Sequence, residues 1–376
     1  MSSTIEQADP EAMATESAED TPILEMEDIE VHFKPGGLIR RYLSDERIKA
    51  VDGVSLELGE RDIIALVGES GCGKTTLGKT GVGLQRPTGG SVKFRGQDIW
   101  EAKDNKAEAE IDYEDIRRSM QIIHQDPGSA LNSTRTILST LMDPLKRWRA
   151  DLAPHEREEN IYKLLDFLDM TPAPDYANRY PHQLSGGEQQ RVVLGRALLM
   201  SPDVIFADEA VSALDVSLRV EMMDLMLELQ EIFNTSYLFI SHDLANARYL
   251  TEQVGGKIGI MYLGKLVEIG EPEQIINNPR HPYTKVLRWS TPQLDPRVAK
   301  ARIDDEPPVR NFEVPDPVDP PSGCNFHPRC TDAREVCMSD VPELMEDDGT
   351  EAACFQQDAS HRYHTSRELT EEDVDV

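Results

Sequence analysis

One stretch decides the fold: residues Ile63 to Thr76 have the sequence IIALVGESGCGKTT. Its first five residues are apolar, which is typical of a buried parallel strand. The pattern GxxxxGKT follows directly, and a helix can begin at Thr76. Glycines in such a loop let backbone N–H groups turn inward around phosphate oxygens, and the N-terminus of the next helix adds partial positive charge. The stretch therefore predicts a phosphate-binding loop and not a chance glycine-rich turn.

The residues of this loop have separate predicted roles. We expect Lys74 to reach the β- and γ-phosphates of a nucleotide and Thr75 to offer its hydroxyl to Mg²⁺. Cys72 is expected to be a small filler and not a redox centre. The predicted nucleotide-binding residues here are Gly68, Ser70, Gly71, Cys72, Gly73, Lys74, Thr75 and Thr76.

A second short apolar strand ends in two carboxylates, in the sequence VIFADE that closes at Glu209. At the end of such a strand, Asp208 can hold Mg²⁺ through its water shell. Glu209 is then placed to polarise the attacking water as a general base. A solvated strand end is the other interpretation, but the combination with a phosphate loop favours the catalytic one.

The composition narrows the possible function classes. The chain has 69 acidic and 39 basic residues, which gives a formal net charge of -30. A surface this negative repels a nucleic-acid backbone, so we expect no nucleic-acid partner. The acidic excess runs along the whole chain, which favours adaptation to a very salty cytoplasm, with an ordinary acidic protein as the alternative. No stretch approaches the roughly 18–20 apolar residues of a membrane helix, and the start of the chain does not resemble a secretory signal.

Changes in composition and hydrophobic pattern along the chain predict three regions. Residues 1–22 are polar and acidic and are expected to be a disordered tail. Residues 23–290 alternate strands with helices, as in an α/β sheet, and about 126–200 is helical in pattern, as an inserted helical subdomain would be. Residues 291–376 begin rich in proline and acidic residues and continue into a cysteine-bearing C-terminal extension.

The sequence that begins at Leu184, LSGGEQQRVVLGRALL, resembles the signature motif of ABC transporter ATPases and its following helix. Ser185, Gly186 and Gly187 stand at a helix N-terminus, where backbone N–H groups can bind a phosphate. In this family that phosphate belongs to ATP held by the partner subunit, so two nucleotide domains close around two ATPs. The resemblance implies an α/β fold of the P-loop NTPase class: an ABC-type nucleotide-binding domain with an inserted helical subdomain.

The other elements of the family follow in order. Gln125 in IIHQD resembles the glutamine that contacts Mg²⁺ and the attacking water. The segment from Ser212 to Asp215 resembles the loop that crosses the dimer interface. His242 in FISHD resembles the switch histidine that contacts the γ-phosphate. The resemblance also implies an aromatic residue stacked on adenine near the end of the first strand; Phe33 is the first choice and Tyr42 the second.

The resemblance covers roughly Ile23 to Cys354 and is closest to the ATPases of oligopeptide and dipeptide importers, in particular the subunit lettered F. It rests on GESGCGKTTLGK, YPHQLSGGEQQR, HPYTKVL and GCNFHPRC. The HPYT segment that begins at His281 marks the family's C-terminal extension, and we expect it to be a structural turn into a helix. Departures occur at Gly128 and Ser133, in the segment that faces the membrane subunits, and at Ala210 and Val211 after Glu209.

The resemblance implies an ATPase that drives uptake of di- or oligopeptides from the cytoplasmic side of the cell membrane. Its partners would be a second homologous ATPase in a heterodimer, two permease subunits and an extracellular solute-binding protein. Another solute, such as a sugar oligomer or nickel, is the nearest alternative. A soluble ABC ATPase of translation or DNA repair is disfavoured, because this chain has one set of motifs. A regulatory protein with a vestigial ATPase is disfavoured by the intact Glu209 and His242.

Four cysteines near the C-terminus, at positions 324, 330, 337 and 354, follow the pattern C-x5-C-x6-C-x16-C. Thiolates in a loop-rich segment suit tetrahedral zinc or a [4Fe–4S] cluster, and the spacing does not choose between them. Disulfides are disfavoured in the cytosol. The resemblance favours iron–sulfur, with zinc and free thiols as alternatives. The predicted ligands are Cys324, Cys330, Cys337 and Cys354.

Overall fold

The computed structural model describes residues 21–34, 47–291, 306–370 and 373. Nearly all of the predicted acidic tail lies outside the described residues. So do Tyr42, the second choice for the adenine contact, and 292–305 at the start of the C-terminal extension.

The strands of the described residues form two sheets. The smaller sheet is antiparallel, in the order β2-β1-β4-β5, and the larger has the order β11-β12-β10-β9-β3-β8-β7-β6. The strands are β1 (Leu24–Phe33), β2 (Ile48–Leu58), β3 (Ile63–Val67), β4 (Gly89–Phe94), β5 (Gln97–Asp98), β6 (Met120–Ile123), β7 (Val204–Asp208), β8 (Ser236–Ser241), β9 (Lys257–Tyr262), β10 (Lys265–Gly270), β11 (Met345–Asp347) and β12 (Thr350–Ala352).

Helices cover the larger sheet and fill the region between β6 and β7. The α-helices are α1 (Lys74–Gly81), α2 (Ile99–Asp104), α3 (Tyr113–Ser119), α4 (Pro127–Ala130), α5 (Ile137–Trp148), α6 (Pro154–Phe167), α7 (Ala173–Ala177), α8 (Gly186–Leu198), α9 (Val216–Phe233), α10 (Leu244–Val254), α11 (Pro272–Asn277), α12 (Pro282–Ser290) and α13 (Val336–Ser339). Helices α4 to α8 form the inserted helical subdomain. None of the helices in the described ranges combines the length and apolar character needed to cross a membrane.

Strand β3 is buried on both faces, as its unbroken apolar sequence predicts. Ile63, Ala65 and Val67 face a core shared with the helices. Ile64 and Leu66 face a second core, which lies between the two sheets. Because consecutive side chains of a strand point to opposite faces, one short strand joins both cores and holds the phosphate loop at its end rigidly.

The cysteine-bearing C-terminal extension continues the larger sheet. Strand β12 pairs antiparallel with β10, with Gly270 opposite Thr350 and Glu268 opposite Ala352. Glu268 is fully buried, and its carboxylate accepts hydrogen bonds from the backbone N–H groups of Arg280 and His281 and from the Thr284 hydroxyl. This carboxylate fixes the start of α12, so HPYT is a turn into a helix, as expected from the sequence.

Candidate nucleotide-binding and catalytic site

The phosphate loop joins β3 to α1 through a turn that needs glycine. Gly71 and Gly73 have φ angles of 81° and 107°, which L side chains rarely adopt. Lys74 is 5% exposed, and its Nζ donates hydrogen bonds to the carbonyl oxygens of Gly68 (2.7 Å) and Glu69 (3.0 Å). The ammonium group therefore lies along the loop itself, beside the backbone that would surround a phosphate.

Thr75 and Asp208 meet although they are far apart in sequence. The Thr75 hydroxyl donates a 2.8 Å hydrogen bond to the Asp208 carboxylate. Asp208 is 8% exposed, and burial raises the pKa of its carboxyl group. A hydroxyl and a carboxylate are the oxygen ligands that Mg²⁺ prefers, so the donor set fits this ion. The positive charge of a bound cation would favour the ionised form of Asp208.

Glu209 lies between two polar side chains. Its Oε2 accepts a 2.9 Å hydrogen bond from Gln125 Nε2 and is 3.4 Å from His242 Nδ1. Its backbone has a φ of 49°, in the left-handed region that costs a non-glycine residue about 1–3 kcal/mol. The backbone N–H of Glu209 donates to Ile240 O, and its carbonyl oxygen accepts from the backbone and hydroxyl of Ser212. The turn is thus held at both ends, which fixes the carboxylate between its two neighbours.

These residues meet because four adjacent parallel strands end together. Within the larger sheet the order is β3-β8-β7-β6, and these strands are all parallel. The residues that follow the strand ends are Gly68 after β3, His242 after β8, Glu209 after β7, and Gln125 two residues beyond β6. Ligands of open parallel sheets bind at the carboxyl ends of the strands, which is where the predicted residues lie.

The signature segment lies at the start of α8 and makes a capping box. Ser185 Oγ accepts from Glu188 N–H at 3.3 Å, and Glu188 Oε2 accepts from Ser185 N–H at 2.7 Å. A side chain placed at Gly186 would meet nothing within 4 Å. In the described residues, no hydrogen bond joins Ser185, Gly186 or Gly187 to the phosphate loop of the same chain. The structure thus does not bring the signature segment together with Lys74 and Glu209.

Of the remaining predicted residues, one caps a helix, three lie in or beside the phosphate loop, and one ends a strand of the smaller sheet. Asp215 caps α9 by accepting from Leu218 N–H, which lowers the pKa of its carboxyl group. Ser70 is exposed and Thr76 half-buried. Cys72 is buried, and burial raises the pKa of its thiol. Phe33 ends β1 in the smaller sheet and is 39% exposed.

Sequence reasoning missed a set of contacts on the other side of the phosphate loop. The hydroxyl of Tyr283 accepts a 2.9 Å hydrogen bond from the Glu69 N–H. The Arg329 guanidinium donates two hydrogen bonds to the Glu69 carboxylate, at 2.9 and 3.0 Å. Both residues stand in motifs that marked the family, HPYT and FHPR, but a local pattern gives no signal for a contact across 260 residues.

The four C-terminal cysteines line one small cavity together with Phe326 and Tyr363. Their sulfurs form no disulfides. Burial raises the pKa of all four thiols, that of Cys324 to about 12 and that of Cys354 to about 11.

The predicted iron–sulfur or zinc site is not supported by this geometry. Across the described ranges, no group of three or more His, Cys, Asp or Glu side chains is arranged to hold a metal ion. Burial favours the neutral form of these thiols, which packs as a small apolar group, whereas the thiolate is the form that binds a metal.

Two known protein families match parts of this chain. The family described as ABC transporter matches residues 51–212, and the oligopeptide/dipeptide transporter C-terminal region matches residues 267–337. The first match contains the phosphate loop and Glu209. The second contains the HPYT segment and three of the four C-terminal cysteines.

Individual relatives match over most of their length. The oligopeptide transport ATP-binding protein AppF of Bacillus subtilis is 40% identical over 88% of this chain and 95% of its own. The dipeptide transport ATP-binding protein DppF of Haemophilus influenzae is 38% identical over 92% of this chain and 100% of its own. Among solved structures, the ATP-binding cassette MJ0796 bound to ADP and Pi has a TM-score of 0.55 at 26% identity, covering 66% of this chain and 98% of its own. The chain therefore belongs to the ABC transporter family and is an ATPase of its oligopeptide/dipeptide transport group.

Proposed function

We propose that this chain hydrolyses ATP to drive the uptake of di- or oligopeptides across the cell membrane. The observation that carries the catalytic part is the meeting of Gln125, Glu209 and His242 beside the Thr75–Asp208 pair. The names of the relatives, which are oligopeptide and dipeptide transport proteins, support the peptide cargo. A sugar oligomer or nickel is the alternative cargo.

The proposed hydrolysis divides the work among these side chains. Glu209 polarises the water that attacks the γ-phosphate, while Gln125 and His242 orient that water and the carboxylate. Lys74 and the backbone N–H groups of the loop bind the β- and γ-phosphates. Thr75, Gln125 and Asp208 would hold Mg²⁺, which neutralises charge that develops on the phosphate oxygens.

A complete site requires a second nucleotide domain. The helix α8 begins at the signature segment, which consists of Ser185, Gly186 and Gly187. The open space at Gly186 leaves room for the γ-phosphate of ATP bound by a partner. Asp215 would stand near the same interface. We propose that the partner is a homologous ATPase in a heterodimer, and that closure around two ATPs moves the membrane subunits.

The remaining partners would be two permeases and an extracellular solute-binding protein, with this chain at the cytoplasmic face. The test is purification from native membranes in mild detergent and high salt, followed by uptake of labelled peptides into reconstituted vesicles. We expect two permeases and a second ATPase to co-purify, and ATP-dependent uptake to be lost with Glu209→Gln. If the vesicles took up a sugar oligomer or nickel but no peptide, the proposed peptide cargo would be wrong. If ribosomal or DNA-repair proteins co-purified without a permease, the proposed role in transport would be contradicted.

We propose that the C-terminal cysteines hold an iron–sulfur cluster, with zinc as the alternative. Their placement around one cavity without disulfides supports this. The test is metal analysis and visible absorption of anaerobically purified protein. Cys330→Ser should lose the metal, whereas Cys72→Ser, a matched cysteine outside the group, should keep it. Anaerobic protein that contains neither iron nor zinc would exclude both.

The acidic surface is proposed to reflect a salty cytoplasm. A net charge of -30 repels itself at low ionic strength, and salt screens this repulsion. We expect the urea midpoint of unfolding to rise steadily between about 0.1 and about 1 M KCl. An unchanged midpoint would favour an ordinary acidic protein.

A further inference from the structure

We propose that Arg329 is a positioning residue of the ATP site: it holds Glu69 in place and neutralises its charge at the rim of the phosphate loop. The C-terminal extension then contributes directly to ATP affinity. This inference rests on the proposed role of the loop in binding ATP.

The contact between Arg329 and Glu69 is well formed, with the guanidinium buried and the Glu69 side chain 30% exposed. Arg329 is 2% exposed, and its two terminal nitrogens donate to the two oxygens of the Glu69 carboxylate at 2.9 and 3.0 Å. Such a two-point pair fixes orientation as well as distance. Salt screens a buried pair much less than a surface pair. Because Arg329 is buried, salt should weaken this pair less than a fully exposed one.

The backbone of Glu69 is held on both sides as well. Its N–H donates to the hydroxyl of Tyr283 at 2.9 Å, and its carbonyl oxygen accepts from Lys74 Nζ at 3.0 Å. Arg329 and Lys74, the loop's phosphate-binding cation, thus act on the same residue. A shift of Glu69 would move the carbonyl group along which the Lys74 ammonium lies.

An aromatic cluster keeps the Arg329 side chain in place. The guanidinium carbon is 5.6 Å from the ring centroids of both Tyr262 and Phe326. Tyr262, Tyr283 and Phe326 in turn contact one another, with centroid separations of 4.6, 5.3 and 5.4 Å. Since Tyr262 ends β9 and Phe326 lies in the extension, the cluster ties the extension to the sheet beneath the phosphate loop.

Because Glu69 is negatively charged, its contact with Arg329 should affect how tightly the loop binds ATP. Glu69 is the second residue of a loop that must accept a highly negative triphosphate. An unpaired carboxylate there would repel the phosphates through a partly buried medium, where charges interact more strongly than in water. Arg329 cancels that charge. A pair that served only to join two segments could stand anywhere along the extension, but this one stands on the phosphate loop.

The experiment compares ATP hydrolysis and binding in full-chain variants assembled with their partner subunits. For Arg329→Met we expect the KM for ATP and the Kd of a fluorescent ATP analogue with Mg²⁺ to rise about tenfold. The kcat should stay within about twofold, because the groups around Glu209 are untouched. The double variant Arg329→Met/Glu69→Gln should recover most of the affinity, since it removes the uncompensated negative charge.

Matched controls separate positioning from general stability. Arg334 also belongs to the extension, stacks over Tyr363 and bonds to Glu368 and to nearby carbonyl oxygens, so Arg334→Met should leave the KM unchanged. If Arg329→Met does not fold, Arg329→Lys is measured in its place; it keeps the charge but loses the two-point geometry, and we expect a roughly threefold rise in KM.

Three results would overturn the proposal: an unchanged KM in the Arg329 variant, an equal rise in Arg334→Met, or a double variant no better than Arg329→Met. Lys74→Ala distinguishes this failure from that of the proposed function. If Lys74→Ala abolishes ATP binding while Arg329→Met has no effect, only the present inference fails. If Lys74→Ala binds ATP normally, the assignment of the loop itself is wrong.

Discussion

The phosphate loop has two sides that are built differently. On the catalytic side, Glu209 and His242 are partly open to solvent, with side-chain exposures of 21% and 57%. On the support side, Tyr283 is fully buried and Arg329 nearly so. Both sides join segments distant in sequence. On the support side the Glu69 side chain is 30% exposed, but its partners Arg329 and Tyr283 are enclosed, whereas Glu209 and His242 are both accessible.

The difference follows from what each side has to do. Catalytic groups must exchange partners as nucleotide, Mg²⁺ and water arrive, so they cannot be completely enclosed. Support groups keep one partner throughout and gain from burial, which strengthens each hydrogen bond and excludes competing water. We therefore expect changes on the catalytic side to lower kcat, and changes on the support side to alter affinity or stability.

The largest expected effect lies at Glu209. Glu209→Gln keeps the shape of the side chain but removes the proposed general base, so kcat for ATP hydrolysis should fall by about 10²- to 10⁴-fold. ATP should still bind, and a closed dimer with trapped ATP should accumulate. Phosphate release and retained nucleotide are the measurements. The control is Glu252→Gln on the surface of α10, where Glu252 pairs with Arg248; unchanged hydrolysis in Glu209→Gln would remove this residue from its role.

A smaller effect is expected at Asp208. Asp208→Asn removes the negative charge that would hold Mg²⁺ through water, and the Mg²⁺ concentration for half-maximal hydrolysis should rise roughly 10- to 100-fold. Saturating Mg²⁺ should restore much of the rate, unlike in Glu209→Gln. Titration of ATPase activity with Mg²⁺ tests this. A variant whose Mg²⁺ dependence matches that of the unmodified protein would show that Asp208 serves only to bond Thr75.

The positions of the residues on the catalytic side could be predicted from sequence, because each position depends on the short segment around it. Each residue follows an apolar strand, and a parallel sheet brings strand ends together whatever the exact strand order. The motif around Lys74 and the carboxylates of Asp208 and Glu209 are therefore expected at one edge of the sheet from their sequence context alone. The resemblance to ABC ATPases added Gln125 and His242, which carry little signal of their own.

The support side could not be predicted in this way. The contact between Glu69 and Arg329 depends on how the C-terminal extension folds back, and β11 and β12 are too short to give a clear periodic signal. Glu268 lies in a strand whose other residues are mostly apolar, and nothing local says that it accepts hydrogen bonds from the HPYT turn. The metal prediction is unsupported for a different reason: the sequence identifies four thiols as candidate ligands, but the arrangement of their sulfurs depends on packing.

His281 belongs to the support side, because its ring accepts a hydrogen bond from the Tyr283 N–H and lies beside Phe326, and it should make the stability of the protein depend on pH. Burial lowers the pKa of this imidazole to about 3, whereas in the unfolded chain it is about 6.5. Below about pH 6.5 the unfolded chain therefore gains a proton that the folded one does not, and the free energy of unfolding falls as pH falls toward 3. Between about pH 7.5 and about pH 5 this group alone should lower it by about 2 kcal/mol.

His281→Asn tests this, because asparagine can still accept the hydrogen bond from the Tyr283 N–H and cap α12. Urea unfolding of both proteins at the two pH values removes the contribution of the many carboxylates, which they share. The stability advantage of the original chain should shrink by about 2 kcal/mol on acidification. A constant advantage would mean that His281 becomes protonated inside the folded protein.

The smallest effect is expected at Cys72, which lies inside the phosphate loop and yet belongs to neither side. Its thiol is 4% exposed, and burial keeps its pKa above the ordinary value, so it stays protonated and unreactive at neutral pH. Its Sγ is 3.7 Å from Lys74 Nζ, and this contact is too weak to hold the ammonium group against two carbonyl oxygens.

Cys72→Ala should therefore keep kcat and the KM for ATP within about twofold, because it removes only a small apolar group. Steady-state hydrolysis measures this, and treatment with an alkylating reagent should leave the unmodified chain active. If Cys72→Ala raised the KM as much as Arg329→Met, the loop would depend on its own internal packing, and the division between a catalytic and a support side would be too simple.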